Sequence, residues 1–434
     1  MCCRAGRWGG SLGEWALPST GMAMLQLREA QDWVTSRCHA IGAVEIPLGV
    51  VLGCVLAEDV RSDAAVPPFA NTAMDGFAVR AADVASVPCE LRVIATLAAG
   101  GQPTLRVATG QAIRIMTGAA IPDGADAIVP VENVDQSVTD PTIVRVLVTA
   151  AVGDAVRPAG EDIVPDQLVF RPGAVLTAGH LGVLASIGRR SVRAHRRVCV
   201  GVLSTGDELI EAPTPLRVGQ IRDSNRYTLA ALARNAECDV IDLGLARDTE
   251  ADIEAKMRDG LTRCDAIVTS GGVSVGDFDF VKVVLDRLSK ESEEPMRWMQ
   301  IAIRPAKPLA FGLIGAKPVF GLPGNPVSCM VSFELFARPA LRRMMGHADE
   351  SLHRRPIRAV AGEPFPRRPD GKTHFSRVTA DFDERGRLVA RSSGRQASNL
   401  LRSMALANAL AVLPDGDGVA DGDDLDVLLL AAPT

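Results

Sequence analysis

The sequence predicts a multidomain protein of α/β plus β class, with a central doubly wound α/β domain, an all-β insert before it and β structure after it. Three observations carry this. From Arg197 to about 345, apolar runs alternate with helical stretches. From about 88 to 150, and again beyond 346, short β-branched runs alternate with Gly, Pro and Asp turns. At 434 residues the chain exceeds what one core usually organises, and its 47% hydrophobic content can supply several cores.

Residues 1 to about 22 are glycine-rich and unpatterned and read as a disordered leader, with Met22 or Met24 opening the folded chain. From Leu25 to Arg37, Leu27, Ala30, Trp33, Val34 and then Cys38 recur at helical spacing. The link Val66-Pro-Pro-Phe69 leads to Asn71-Thr-Ala-Met-Asp-Gly-Phe-Ala-Val79, and the insert follows with runs at Leu91 to Ile94, Gln111 to Met116 and Thr142 to Val148. Residues 173 to 188 return to helical character. Candidate strands of the α/β region are Val198 to Leu203, Asp239 to Leu243, Ala266 to Thr269, Met299 to Ile303 and Val319 to Gly321. Helices are expected at Glu250 to Arg258, behind a Thr249-x-x-Asp252 start, and at Asp279 to Leu288. Such alternation predicts a parallel sheet with helices on both faces.

Net charge is −5 and aromatics are 4% of residues, against a nucleic-acid partner and its stacking platforms. No apolar run reaches the length of a membrane span, so no membrane partner is expected and the location is read as cytoplasmic. The nine cysteines include no Cys-x-x-Cys pair and read as reduced thiols, with Cys199 and Cys264 as buried filler. The six histidines offer no zinc motif, and only His347 and His353 lie near one another.

Three strand ends carry the candidate chemistry. Val198 to Leu203 runs into Ser204-Thr-Gly-Asp-Glu208, Ala266 to Thr269 into Ser270-Gly-Gly-Val-Ser-Val-Gly276, and Val319 to Gly321 into Leu322-Pro-Gly-Asn-Pro-Val-Ser328. Ligands of open α/β sheets bind outside the carboxyl ends of the strands, so these loops are expected to converge on one crevice. Gly271, Gly272 and Gly276 let backbone N–H groups approach a phosphate. Asn325 fits an N-cap and Pro326 a first helical position before a helix from Val327 to Phe336, whose N-terminus favours an anion. Asp207 and Glu208 at a phosphate site call for a divalent cation, Mg²⁺ by preference, and Asp277 and Asp279 extend the acidic set. Arg304 and Lys307, set among prolines, suit an oxyanion. Gly272-Val-Ser-Val-Gly276 also matches a serine-hydrolase nucleophile elbow, but only His347, His353 and His374 follow it, and none leads to an obvious strand-end loop. Asp415-Gly-Asp-Gly-Val-Ala420 begins like an EF-hand loop and fails at its fifth and sixth positions.

Together the motifs closely resemble the molybdopterin molybdenumtransferases, a family that includes the gephyrin E domain. The resemblance rests on eight segments in family order. They are Asn71 to Val79, Arg114-Ile-Met-Thr-Gly118, Gly160-Glu-Asp162, Ser204 to Glu208, Asp223-Ser-Asn225, Thr269 to Gly276, Lys307-Pro-Leu-Ala-Phe-Gly312 and Gly321 to Ser328. It implies a leader (1–23), a discontinuous helix/strand linker domain (24–62 and 157–195), the β insert (63–156), the α/β molybdopterin-binding domain (196–345) and a C-terminal β-barrel (346–434). It implies a homodimer in which one subunit's crevice faces the other's insert. Molybdopterin adenylyltransferase and apo-molybdoenzymes are the implied protein partners.

The implied reaction takes molybdopterin adenylate and molybdate, breaks the phosphoanhydride with Mg²⁺, releases AMP and leaves molybdenum on the dithiolene. By resemblance, Asp75, Thr117 and Glu208 are the catalytic residues. Molybdopterin falls to Asp162, Ser204, Thr205, Gly206, Asp248, Gly271, Gly272, Ser274, Gly276, Pro323, Gly324, Asn325 and Pro326. Asp162 and Asp248 also count among the acidic residues for metal binding or catalysis, and Asp207, Glu208 and Asp279 are the metal set. Arg304, Lys307 and Ser398 surround molybdate. Arg304 stands where the family commonly has lysine, and Phe77 where it often has tyrosine. A scaffold that has lost the chemistry is a further reading, and the presence of Asp75, Asp207 and Glu208 argues against it.

Overall fold

The computed structural model describes residues 24–135, 140–272, 280–290, 292 and 295–433. The expected leader, and Ser274, Gly276, Asp277 and Asp279, lie outside the described residues. The chain forms two compact units, one of Ile41–Arg196 with Met345–His347, the other of the remaining described residues. No helix among the described residues is long and apolar enough to cross a membrane.

Helix α1 (Leu27–Thr35) opens the unit that holds the α/β region. It buries Ala30 and Val34, one helical turn apart, and sets Trp33 edge-on to Phe311 at 5.5 Å.

The Ile41–Arg196 unit is built on a six-stranded sheet. Its strands are β1 (Gly76–Val79), β2 (Cys89–Leu97), β3 (Gln111–Ile115), β4 (Ala127–Pro130), β5 (Val134–Asp135) and β6 (Ile143–Val146), in the order β4-β1-β3-β2-β6-β5. Ala78, Ile113, Ile115 and Ile128 are buried on one face and Val79, Ala112, Val129 and Val144 on the other, as strand alternation requires. In the same unit Ala43–Pro47 and Val55–Leu56 flank Ser191–His195 in a small sheet covered by α2 (Ala178–Ser186).

The other unit continues with β7 (Cys199–Thr205), α3 (Asn225–Asn235), β8 (Asp239–Ala246), α4 (Glu250–Arg263), β9 (Ala266–Ser270), α5 (Phe280–Ser289), β10 (Arg297–Gln300), β11 (Pro308–Ile314) and β12 (Lys317–Leu322). The sheet order is β8-β7-β9-β12-β11-β10. β7, β8, β9 and β12 are mutually parallel; β7, β9 and β12 are almost wholly buried, as strands covered on both faces must be, whereas β8 stands at the sheet edge with Asp242 exposed. Fully buried Leu203 and Phe320 each contribute about 1.5–3 kcal/mol of burial. α4 starts as read from the sequence, the Thr249 hydroxyl accepting the Asp252 N–H at 3.3 Å.

Four expectations need correction. The sheet is mixed, because β11 runs antiparallel to β12 and β10 antiparallel to β11. The expected strand Met299 to Ile303 ends at Gln300, and Pro308–Ile314 is a strand the alternation does not reveal. No helix separates these strands, and so short a turn as that at Gly315 can join only antiparallel neighbours. The helix expected from Val327 to Phe336 is longer: α6 (Pro326–Ser332) passes through a π-turn at Phe333–Ala337 into α7 (Arg338–Met344). Cys199 is only half buried, whereas Cys264 is buried as expected; neither forms a disulfide.

The last part is a closed five-stranded barrel of β13 (Ile357–Ala361), β14 (Thr373–Phe382), β15 (Leu388–Ser392), β16 (Ala409–Leu413) and β17 (Asp424–Leu429). The round β14-β15-β13-β17-β16 closes by pairing β16 back onto β14, leaving no free edge among these strands. Ile303 and Arg304 add to β14 in parallel, opposite Thr373 and His374, and so tie the α/β region to the barrel.

Candidate functional site

β7, β9 and β12 are neighbours and parallel, so their carboxyl ends share one edge of the sheet. Thr205 and Glu208 from the first loop, Gly271 from the second and Pro323, Gly324, Asn325 and Pro326 from the third line one cleft of about 570 Å³. Gly206 sits at φ +145°, and a Cβ there would stand 2.5 Å from Glu208 Oε2, so the residue lets the Glu208 carboxylate lie back over the chain. Gly272 (φ +72°) lies against Val281 of α5, where a Cβ would come within 2.3 Å, and it packs the turn without lining the cleft.

Other predicted residues point elsewhere. Ser204 is fully buried and donates to Asp223 Oδ1 at 3.0 Å, beneath the cleft. Asp207 and Asp248 hold each other's backbone: Asp248 N donates to Asp207 Oδ1 at 3.1 Å and Asp207 N to Asp248 Oδ2 at 3.4 Å. Glu208 is therefore the carboxylate of the Ser204–Glu208 loop that lines the cleft. Asn325 occupies the N-cap of α6, but its side chain makes no capping bond.

A second cleft, of about 470 Å³, brings Arg304, Lys307 and Ser398 together, with Lys372 and Gln396. Among the described residues no carboxylate lines it, although Lys372 Nζ is 3.3 Å from Asp370. Both clefts are lined by Pro308, Pro323 and Asn325, so they adjoin.

In the Ile41–Arg196 unit, Asp75 Oδ1 accepts the Thr117 hydroxyl at 2.6 Å and the Thr117 N–H at 2.7 Å. These donors, the hydroxyl first, hold the Asp75 carboxyl below its usual range, so it is ionised at neutral pH. Asp162 is exposed in the same unit, its N–H donating to Val66 O at 3.0 Å.

Asn225, Asp223, Ser270, Lys372 and Gln396 were not among the residues assigned from the sequence. Asn225 Nδ2 donates to Ser270 Oγ at 2.6 Å and to Gly324 O at 2.7 Å, clamping the second loop to the third. Asp223 accepts Arg226 N at 3.2 Å and Nε at 2.9 Å, and Arg226 also reaches Asp242 and Glu211. Burial pushes the Asp223 carboxyl above its usual value, against the pull of these donors. The segment Asp223-Ser-Asn225 was a signal for two of these residues; Lys372 and Gln396 stand on barrel segments with no motif around them.

The fold and its clefts define a class: multidomain α/β proteins with a β insert and a barrel, in which a cleft at the strand ends adjoins a cationic one. Residues 25–188 match the family model described as the MoeA N-terminal region (domains I and II), 201–343 a probable molybdopterin-binding domain, and 358–430 the MoeA C-terminal region (domain IV). The chain is 36% identical over 374 residues to the molybdopterin molybdenumtransferase of Haemophilus influenzae, covering 86% of this chain and 90% of that one. It is 37% identical over 410 residues to molybdopterin molybdenumtransferase 2 of Mycobacterium tuberculosis, covering 93% and 99%. The structure is similar to that of the molybdopterin biosynthesis moeA protein from Pyrococcus horikoshii, with TM-score 0.75 and 27% identity over 94% of this chain and 100% of that one. The chain belongs to the molybdopterin molybdenumtransferase, or MoeA, family.

Proposed function

We propose that this protein inserts molybdenum from molybdate into adenylylated molybdopterin, cleaving the adenylate and releasing AMP. The observation that carries the reading is the adjacency of the two clefts, one formed by three strand-end loops and the other by Arg304, Lys307, Lys372 and Ser398. A reaction between a bound phosphate ester and a small oxyanion needs just such neighbours.

The glycine turn and the N-terminal end of α6 take the phosphate end of molybdopterin, with Asn225 fixing the distance between their loops. Arg304 and Lys307 orient molybdate by charge, and Ser398 offers it a hydroxyl. Among the described residues no three or more His, Cys, Asp or Glu are grouped to hold a metal ion. Mg²⁺ commonly takes one or two carboxylates and completes its shell with substrate phosphates. Glu208 lines the cleft and would offer it a carboxylate, with Asp207 and Asp279 as the remaining expected ligands; Asp223 also lines the cleft but is paired with Arg226. When bound, the cation neutralises charge on the phosphoanhydride oxygens.

Asp75, kept ionised by Thr117, serves the chemistry in a homodimer, where it acts on the cleft of the other subunit. Molybdopterin adenylyltransferase would deliver the substrate and an apo-molybdoenzyme take the product.

The test is AMP release from molybdopterin adenylate with Mg²⁺, with and without molybdate, beside Asp75→Asn. Molybdate-dependent release that the variant loses, with a product that activates an apo-molybdoenzyme, is the expected result. Tight binding without release in the wild type would sink the proposal and leave a carrier.

A further inference from the structure

The segment that brings Gln396, Ala397 and Ser398 to the cationic cleft has no helix or strand of its own, so side chains must fix it. Arg377 of β14 does this. Its side chain is fully buried, its Nη2 donates to the carbonyls of Arg395 at 2.7 Å and Ala397 at 3.3 Å, and its Nε donates to the Ser403 hydroxyl at 3.0 Å. Its backbone is engaged with the same segment: Arg377 N donates to Gln396 Oε1 at 2.8 Å, and Gln396 Nε2 to Arg377 O at 3.0 Å. The far end is tied to the α/β region, where Val327 N in the first turn of α6 donates to Ser398 O at 3.1 Å.

All the acceptors of this guanidinium are neutral, and its Nη1 is buried without a hydrogen-bond partner among the described residues. A buried charge without a counter-ion, and a buried donor without an acceptor, both oppose folding, so stability alone favours an apolar side chain at this barrel position. What the arginine provides instead is a rigid planar fork that spans two carbonyls of one segment, together with a positive charge behind a cleft that already gathers Arg304, Lys307 and Lys372.

We propose that Arg377 is a positioning residue for the oxyanion: it holds the carbonyls of residues 395 and 397, and through its backbone the Gln396 amide, so that Ser398 faces the bound molybdate, and its unneutralised charge favours an anion there. This rests on the reading of the cleft as the molybdate subsite. The experiment compares full-length wild type with Arg377→Met and Arg377→Lys, measuring AMP release against molybdate concentration, pterin-fluorescence binding of molybdopterin, and circular dichroism for fold.

Arg377→Met is expected to raise the KM for molybdate about tenfold or more while kcat at saturating molybdate and molybdopterin affinity stay within about twofold, with Arg377→Lys recovering part of the loss. An unchanged KM, or a parallel fall of kcat and molybdopterin affinity, would overturn the assignment. Should Arg377→Met fail to fold, Ser403→Ala removes the Nε acceptor together with that hydroxyl's own bonds to the Arg395 and Leu400 carbonyls and is expected to raise the molybdate KM about threefold, and no change overturns the proposal. If the wild type shows no molybdate-dependent AMP release, the functional reading fails separately. Calorimetric molybdate binding, weaker in Arg377→Met or equal to wild type, then decides the role of Arg377.

Discussion

Replacing Arg226 by methionine strands one carboxylate, that of Asp223 in the lining of the strand-end cleft, and leaves two others to be solvated by water. The guanidinium, 4% exposed, faces Asp223, Asp242 and Glu211. The side chains of Asp242 and Glu211 are 52% and 49% exposed, so water replaces the lost partner. The Asp223 side chain is 1% exposed and keeps only the Ser204 hydroxyl and backbone N–H donors at the start of α3. Removing one partner of a buried pair costs about 3–5 kcal/mol, and methionine fills much of the arginine stem, so the charge sets the loss more than a cavity does. At about 2–4 °C per kcal/mol for domains of this size, the thermal midpoint at pH 7 falls by roughly 6–20 °C.

The sign of the pH dependence follows from Asp223. Burial already raises its carboxyl, and loss of Arg226 raises it further. A carboxyl with a raised folded-state pKa contributes stability that is fully present below its unfolded pKa and lost as pH rises through the folded one. The deficit of Arg226→Met therefore shrinks between pH 7 and pH 5. Thermal unfolding followed by circular dichroism on wild type, Arg226→Met, Asp223→Asn and the double variant measures this. The double variant is expected to recover most of the loss, having no stranded charge. A midpoint shift in Arg226→Met below about 2 °C, or losses that simply add in the double variant, would refute the reasoning.

Thr117→Val removes the first of the two donors that hold the Asp75 carboxyl low, so its pKa climbs toward the ordinary value and the acid limb of the activity–pH profile moves to higher pH; an unmoved limb would separate Asp75 from the chemistry. Gly206→Ala drives a Cβ against the Glu208 carboxylate and is expected to cut kcat about a hundredfold with the fold intact, read by steady-state kinetics beside circular dichroism. Lys307→Met removes a charged donor from the oxyanion cleft, raising the molybdate KM about tenfold or more while pterin-fluorescence titration shows molybdopterin binding unchanged.

Much of the cleft is legible in the amino-acid sequence. Glycine and proline punctuation after Val198 to Leu203, Ala266 to Thr269 and Val319 to Gly321 marks strand ends, and strand ends of a parallel sheet lie on one edge; Thr205, Glu208, Gly271 and Pro323 meet there for that reason. Direction is harder to read. Ser204 and Thr205 are neighbours on one strand and so face opposite ways, and the phase that sends Ser204 down to Asp223 and Thr205 into the cleft depends on what packs beneath the sheet.

The sequence by itself determined the α/β class of the central region, its flanking β structure, the loops that carry the site and, through the order of its motifs, the family. These are local patterns of periodicity and turn chemistry, written within a few residues of where they act. Tertiary structure alone decided the antiparallel pair β10 and β11, the closure of the barrel by β14 and β16, and the arrival of Lys372, Gln396 and Arg377 behind Arg304 and Lys307. The barrel closure and the cleft contacts join segments tens of residues apart, and a pairing at that separation is set by which surfaces can be buried together, which no short stretch of sequence records.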